Sequence, residues 1–160
     1  MKIKNILKYT LLFALLIVLA LLLILKLDTK SQKSSLNETI ETDYTKDATL
    51  AGTLLKIEIA KTRAEQARGL SGRSELKENE GMLFVFDRPD KHKFWMKDMN
   101  FAIDMIWLDK DKKVVFIKRN TAPESYPELF GPNDDALYVL EVASGWSDRH
   151  SLKVGDTLLF

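Results

Sequence analysis

Two arginines, two acids, a tryptophan and the methionine beside it are the residues of this chain whose types and surroundings could do chemistry. Arg68 and Arg73 flank a glycine-containing turn, and their permanently charged guanidinium forks suit bidentate capture of a carboxylate or phosphate. Asp104 and Glu141 sit inside apolar runs, where an unpaired charge is expensive, so each calls for a partner or for a proton. Pairing of the two arginines with the two acids would make the four a structural cluster. Left free on neighbouring strands, the acids could instead serve as general acid and base in hydrolysis of a glycosidic bond, or ligate a hard cation together with Asp98. Trp95 and Met96 complete the candidate binding set, because Trp95 alternates to the opposite strand face from Phe94 and Met96 and is the aromatic residue freest to meet a ligand. Trp107, Tyr126, Phe130 and Trp146 are further aromatic residues that could line a groove, whereas Phe84, Phe86, Phe94 and Trp107 read first as core. His92 and His150 share no metal-ligand spacing, His92 reading as an exposed loop residue, so no metal, cofactor or catalytic set is assigned.

These residues need elements to hold them. Leu55, Ile57 and Ile59 alternate with Lys56, Glu58 and Ala60, which predicts a strand starting near Thr53. Thr62-Arg63-Ala64-Glu65 fits a capping box, followed by a short helix closed by a left-handed cap at Gly69. Met82 to Phe86 reads as a buried strand, Phe94 to Met96 as a short one, and Ile103 to Leu108 and Val114 to Lys118 as a hairpin about the polar turn at 109–113. Residues 119–135 carry Pro123, Pro127, Gly131 and Pro132 and read as a long loop. A strand over Ala136 to Val142, a helical turn over Ser147 to Leu152 and a last strand over Thr157 to Phe160 complete the domain. The expected fold is mainly β, a small single-domain β-sandwich or barrel with one short helix, preceded by an N-terminal transmembrane helix.

That helix is expected from Tyr9 to Leu25, 17 residues without a charge between flanking lysines. At helical rise it spans about 25 Å, enough to cross a bilayer at the short end. No small-residue cleavage site follows it, so residues 1–27 read as an uncleaved anchor rather than a signal segment. Lys2, Lys4 and Lys8 favour a cytoplasmic N-terminus and an extracytoplasmic C-terminal domain at the cell membrane. Residues 28–49 read as a polar flexible tether and residues 50–160 as the compact domain. Six lysines against Asp28 alone give residues 1–34 a net charge of +5, which leaves −4 for the rest of a chain whose total is +1. A mildly acidic soluble domain without a clustered basic surface is a poor nucleic-acid partner. With no cysteine, disulfides and thiol chemistry are excluded.

Arg68-Gly69-Leu70 with Arg73 and Leu76, Gly81-Met82-Leu83-Phe84-Val85-Phe86, Phe94-Trp95-Met96-Lys97, Ile103-Asp104-Met105-Ile106, Pro123, the run from Ala136 to Gly145 and Gly155-Asp156 occur in that order. In this the chain resembles the family called domain of unknown function 192, over about residues 53–160. It departs from that pattern at Asp98-Met99-Asn100-Phe101. The resemblance implies one compact, mainly β domain, in bacteria and archaea, often behind an export signal, and no reaction. The leading functional expectation is a membrane-tethered extracytoplasmic binding module for envelope carbohydrate, peptide or another small molecule or protein. The alternatives are a hydrolase of envelope polysaccharide using Asp104 and Glu141, and a structural envelope component.

Overall fold

The computed structural model describes residue 19, residues 21–26, residue 29 and residues 45–160. The chain divides into two units, residues 1–43 and residues 44–160. In the first, the described residues are helical and the Thr29 hydroxyl donates back to the carbonyls of Leu25 and Lys26. No helix among the described residues is long and apolar enough to cross a membrane; most of the span expected from Tyr9 to Leu25, and the tether up to residue 44 apart from Thr29, lie outside the described residues.

The second unit is mainly β: one mixed sheet of six strands with short helices. The strands are β1 (Thr45–Leu50), β2 (Thr53–Ala60), β3 (Glu80–Asp90), β4 (Ile103–Leu108), β5 (Val114–Thr121) and β6 (Ala136–Ala143), in the order β1-β2-β3-β6-β4-β5. All neighbours are antiparallel except β2 and β3. That parallel pair needs a crossover, which the helix α1 (Arg63–Arg68) supplies. Thr62 caps it with a complete capping box, its hydroxyl accepting from the Glu65 amide while the Glu65 carboxylate accepts from the Thr62 amide. Gly69 ends it at φ 48° and ψ −134°, a glycine conformation rather than the left-handed helical cap expected from sequence.

The domain starts earlier than the sequence pattern indicates. Residues 45–49, expected in the tether, form β1, which pairs with β2 along its whole length. Its alternation is hidden because only Ala48 and Leu50 face the core. The turn is Ala51-Gly52, both at positive φ, the conformation a two-residue hairpin requires. Phe94 to Met96 is not a strand; Phe94 makes one bridge to Phe130. The helices number more than the one expected: α2 (Trp146–Arg149) and a 3-10 turn at Pro123–Ser125 join α1. At the C-terminus, Leu159 bridges Thr49 of β1 and Thr157 bridges Lys113 beside β5, so this segment ties one edge of the sheet to the other.

Cross-strand partners share a sheet face, and the registers divide the interior in two. One core holds Leu50, Leu55, Ile57, Leu83, Ile106, Leu140, Val142 and Trp146; the other holds Met82, Phe84, Met96, Met105, Trp107, Phe130 and Val139. β4 is covered on both faces and every residue of it is buried, which is why its sequence is an almost unbroken apolar run. The second core is roofed by α1 and by residues 92–99. The functional candidates lie under that roof.

Candidate functional site

Glu141 of β6 stands between Met82 of β3 and Met105 of β4. The same row continues to Glu58 on β2 and Lys118 on β5. Glu141 is 5% exposed, and its Oε2 has no hydrogen-bond partner among the described residues. Burial pushes its carboxyl from 4.5 up to about 8, opposed by the charge of Arg73. Arg73 does not reach it. Its Nη1 and Nη2 donate to the two oxygens of Glu58, each at 2.6 Å, and that bidentate bond holds Glu58 below the ordinary carboxylate range.

Glu141 is one wall of a cavity of about 310 Å³. The end of α1 and the turn after it, from Gln66 to Ser71, form one side; Phe84, Phe86, His92, Phe94 and Trp95 form the other. The aromatic wall is braced edge to face, Phe84 on Phe94 at 4.8 Å and Phe94 on Trp107 at 5.9 Å between ring centres. His92 lies flat on Phe86 at 3.6 Å, and its carbonyl accepts from the Trp107 indole nitrogen at 2.8 Å. On the other side, the Gln66 amide donates to the Val85 carbonyl at 2.9 Å and fastens α1 to β3. A Cβ on Gly69 would come within 3.2 Å of the Phe84 ring, so the helix approaches this closely only because a glycine stands there. The long loop is pinned to the same roof, with Phe94 and Phe130 exchanging backbone hydrogen bonds at 2.8 Å and the Lys93 ammonium donating to the carbonyls of Gly131 and Pro132.

Three cations line the opening. Arg68 is exposed, and while its carbonyl accepts from the Ser71 amide, its guanidinium makes no hydrogen bond or ion pair among the described residues. Lys97 lies 6.0 Å from the Trp95 ring, and Lys93 is held by the two carbonyls. Trp95 is 49% exposed and packs on Tyr126, which is 45% exposed. Met96, by contrast, is 1% exposed and belongs to the core beneath.

The structure thus gathers Arg68, Trp95 and Glu141 around one cavity and sends the other candidates elsewhere. Neither arginine pairs with Asp104 or Glu141. Asp104 pairs across the sheet with Val142, on the face opposite Glu141. Its carboxylate accepts backbone amides from Asn120 at 2.8 Å, Gly145 at 3.0 Å and Ser147 at 2.8 Å, so it satisfies amides at the start of α2 that have no helical acceptor. Two carboxylates on opposite faces cannot serve one glycosidic bond. Trp146 is fully buried in the other core, and Asp98 is exposed in the left-handed conformation with its carbonyl taken by the Gly72 amide. Among the described residues no group of three potential metal ligands converges.

His92, Phe86 and Lys97 were not expected at the site. The alternation of cations and rings in Lys91-His92-Lys93-Phe94-Trp95-Met96-Lys97 is the signal that marks His92 and Lys97. A separate relay also escaped the sequence reading: Thr53 Oγ1 lies 2.9 Å from His150 Nδ1, and His150 Nε2 lies 3.2 Å from Glu78. Its order resembles nucleophile, base and acid. However, Arg149 occupies both oxygens of Glu78 and none of the three lines the cavity, so the relay ties β2 to α2.

Fold and site together define a small mixed-sheet β domain that carries an aromatic-walled cavity of ligand size. The chain belongs to the family domain of unknown function 192, described as uncharacterized ACR, with the match covering residues 45–160. It is similar to a protein of unknown function from Novosphingobium aromaticivorans DSM 12444, with 33% identity over 72% of this chain and 85% of that one and a TM-score of 0.68. A protein from Sinorhizobium meliloti 1021 described as a candidate transcription regulator is 26% identical over 71% of this chain and 92% of that one, with a TM-score of 0.67. No curated protein matches.

Proposed function

We propose that the chain is a membrane-tethered, extracytoplasmic binding module, its domain a small β-sandwich or barrel, and that its ligand, an envelope carbohydrate or peptide, occupies the cavity over Glu141. The observation that carries this reading is a buried carboxyl, one oxygen of which has no hydrogen-bond partner among the described residues, in the wall of an aromatic-lined cavity that also has an exposed arginine on its lining. A protein that needed these residues only for stability would gain by closing the space, since an unsatisfied buried polar atom and an unfilled cavity both destabilise. Rings that stack on a ligand and a few convergent polar groups that orient it are the usual make-up of a small-molecule site. Glu141 is the only acid among the described residues that line the cavity, which favours binding over two-carboxylate hydrolysis.

The membrane reading is supported by the uncharged run from Tyr9 to Leu25 and by the described leucines of that stretch, each more than half exposed. Apolar side chains shown outward along a helix call for a lipid or protein environment. The regulator description of the Sinorhizobium meliloti relative would ask for a basic face; residues 45–160 carry 18 Lys and Arg against 19 Asp and Glu, which supports a role without nucleic acid. The test is a panel of envelope glycans and peptides added to the full chain in detergent, read by Trp95 fluorescence with Trp95→Phe as the blank. Binding that falls about tenfold or more in Phe86→Ala is the expected result, since a stacked ring contributes on the order of 1–2 kcal/mol. Binding undiminished by that change, or no binding by any member, would refute the assignment. A C-terminal reporter active only outside the cytoplasm is expected to be active.

A further inference from the structure

Three charges and one carboxyl decide which ligands the cavity can hold. Arg68, Lys93 and Lys97 surround its opening, and Glu141 is the only acid lining it among the described residues. A cationic ligand would pass all three positive groups to reach one buried carboxyl. An anion is drawn in by the same field. Lys93 is already occupied by the carbonyls of Gly131 and Pro132, so Arg68 and Lys97 are the groups available to an incoming anionic group. The fork of Arg68 has no protein partner among the described residues and matches a planar carboxylate or a phosphate with two parallel hydrogen bonds. Deeper in, the walls are the faces and edges of Phe86, Phe94 and Trp95, and Oε2 of Glu141 is free. A cavity of about 310 Å³ lies at the small end of ligand sites and suits one or two rings.

We infer that the cavity selects an acidic ring sugar, whose carboxylate or phosphate meets Arg68 and Lys97 at the opening while its ring lies against the aromatic wall and a hydroxyl points to Glu141. This rests on the reading of the cavity as a binding site and adds the charge and shape of what it binds. A carboxyl that keeps its proton offers a donor and an acceptor together, which is what a sugar hydroxyl needs. The cations around Glu141 work against that state, and burial maintains it. Toward β2 the Arg73 and Glu58 pair offsets its own charge; Lys118 stands beyond Met105 on β5; His92, Arg68, Lys93 and Lys97 face it from the roof. Burial outweighs the charge of Arg73 and holds the carboxyl at about 8. Above that pH an ionised Glu141 would repel an anionic ligand and lose its donor.

The experiment is calorimetry on the full chain in detergent micelles with glucuronate, glucose, glucosamine and inorganic phosphate as probes. Glucuronate is expected to bind about tenfold or more tightly than glucose, the gain of one charge-assisted bidentate pair, with glucosamine the weakest of the sugars. Arg68→Ala should bring glucuronate down to the level of glucose and leave glucose unchanged; the residue is exposed and unpaired, so the variant folds. Glucuronate affinity should fall as pH rises through about 8 and should not fall in Glu141→Gln. If glucose binds as well as glucuronate, the inference is overturned and the binding reading stands. If inorganic phosphate binds as tightly as glucuronate, the opening is an anion site alone and the ring assignment is wrong. If no sugar and no anion binds, both readings fall.

Discussion

Replacing Glu141 by Gln removes one titration and almost nothing else, so its effect on stability can be worked out in advance. The two side chains have the same shape, and the glutamine is neutral at every pH. In the wild-type fold the carboxyl keeps its proton up to about pH 8, because burial disfavours the ion; the unfolded chain releases it at 4.5. Between those values the native state binds the extra proton, so stability falls as pH rises, by about 1.4 kcal/mol per pH unit. The stabilisation is fully present below 4.5 and lost as pH rises through about 8, a change of about 5 kcal/mol across the window as an upper figure. Urea unfolding of wild type and Glu141→Gln, followed by tryptophan fluorescence at several pH values, measures this difference. The two should agree within about 1 kcal/mol near pH 4, and the variant should be the more stable by several kcal/mol near pH 9. A difference that does not change with pH, or one that grows in favour of the wild type as pH rises, would refute the argument, because Glu141 would then be ionised in the folded protein.

Other substitutions read the remaining charged groups. Asp104→Ala strips acceptors from three backbone amides beside α2 and should destabilise by about 3–5 kcal/mol, measured by the same unfolding experiment. Arg73→Ala breaks the bidentate pair with Glu58, whose two side chains are 32% and 41% exposed, so screening limits the loss to about 1 kcal/mol. The same change removes the one charge that lowers the Glu141 pKa and should move the Glu141 midpoint upward in a carboxyl-carbon NMR titration.

What the sequence makes legible follows from how local each signal is. The capping box at Thr62 and Glu65, the hairpin at 109–113 and the run Ile103–Leu108 are set by neighbours a few residues apart, and the structure has each of them. β1 is hidden because its outward residues are polar and its two core positions are too few to show a period. The parallel pairing of β2 with β3 leaves no local mark either. The site is legible in its parts and not in its grouping. Arg68, Trp95 and Glu141 stand out as residue types, but Asp104 and Glu141 look equivalent until the register puts them on opposite faces, and one residue of register decides that. Likewise Arg73 finds Glu58 through a contact 15 residues apart in sequence, which no local pattern announces. His92 reads as a loop residue because the ring that covers it, Phe86, belongs to the strand β3 before it.

The account turns on whether the cavity over Glu141 takes a ligand, and NMR of isotopically labelled protein with added glucuronate tests that most directly. The Glu141 carboxyl carbon and the rings of Phe86, Phe94 and Trp95 should shift together and saturably, with the Asp104 carboxyl carbon on the far face unmoved. Shifts confined to surface groups away from the cavity, or none at Glu141, would contradict it.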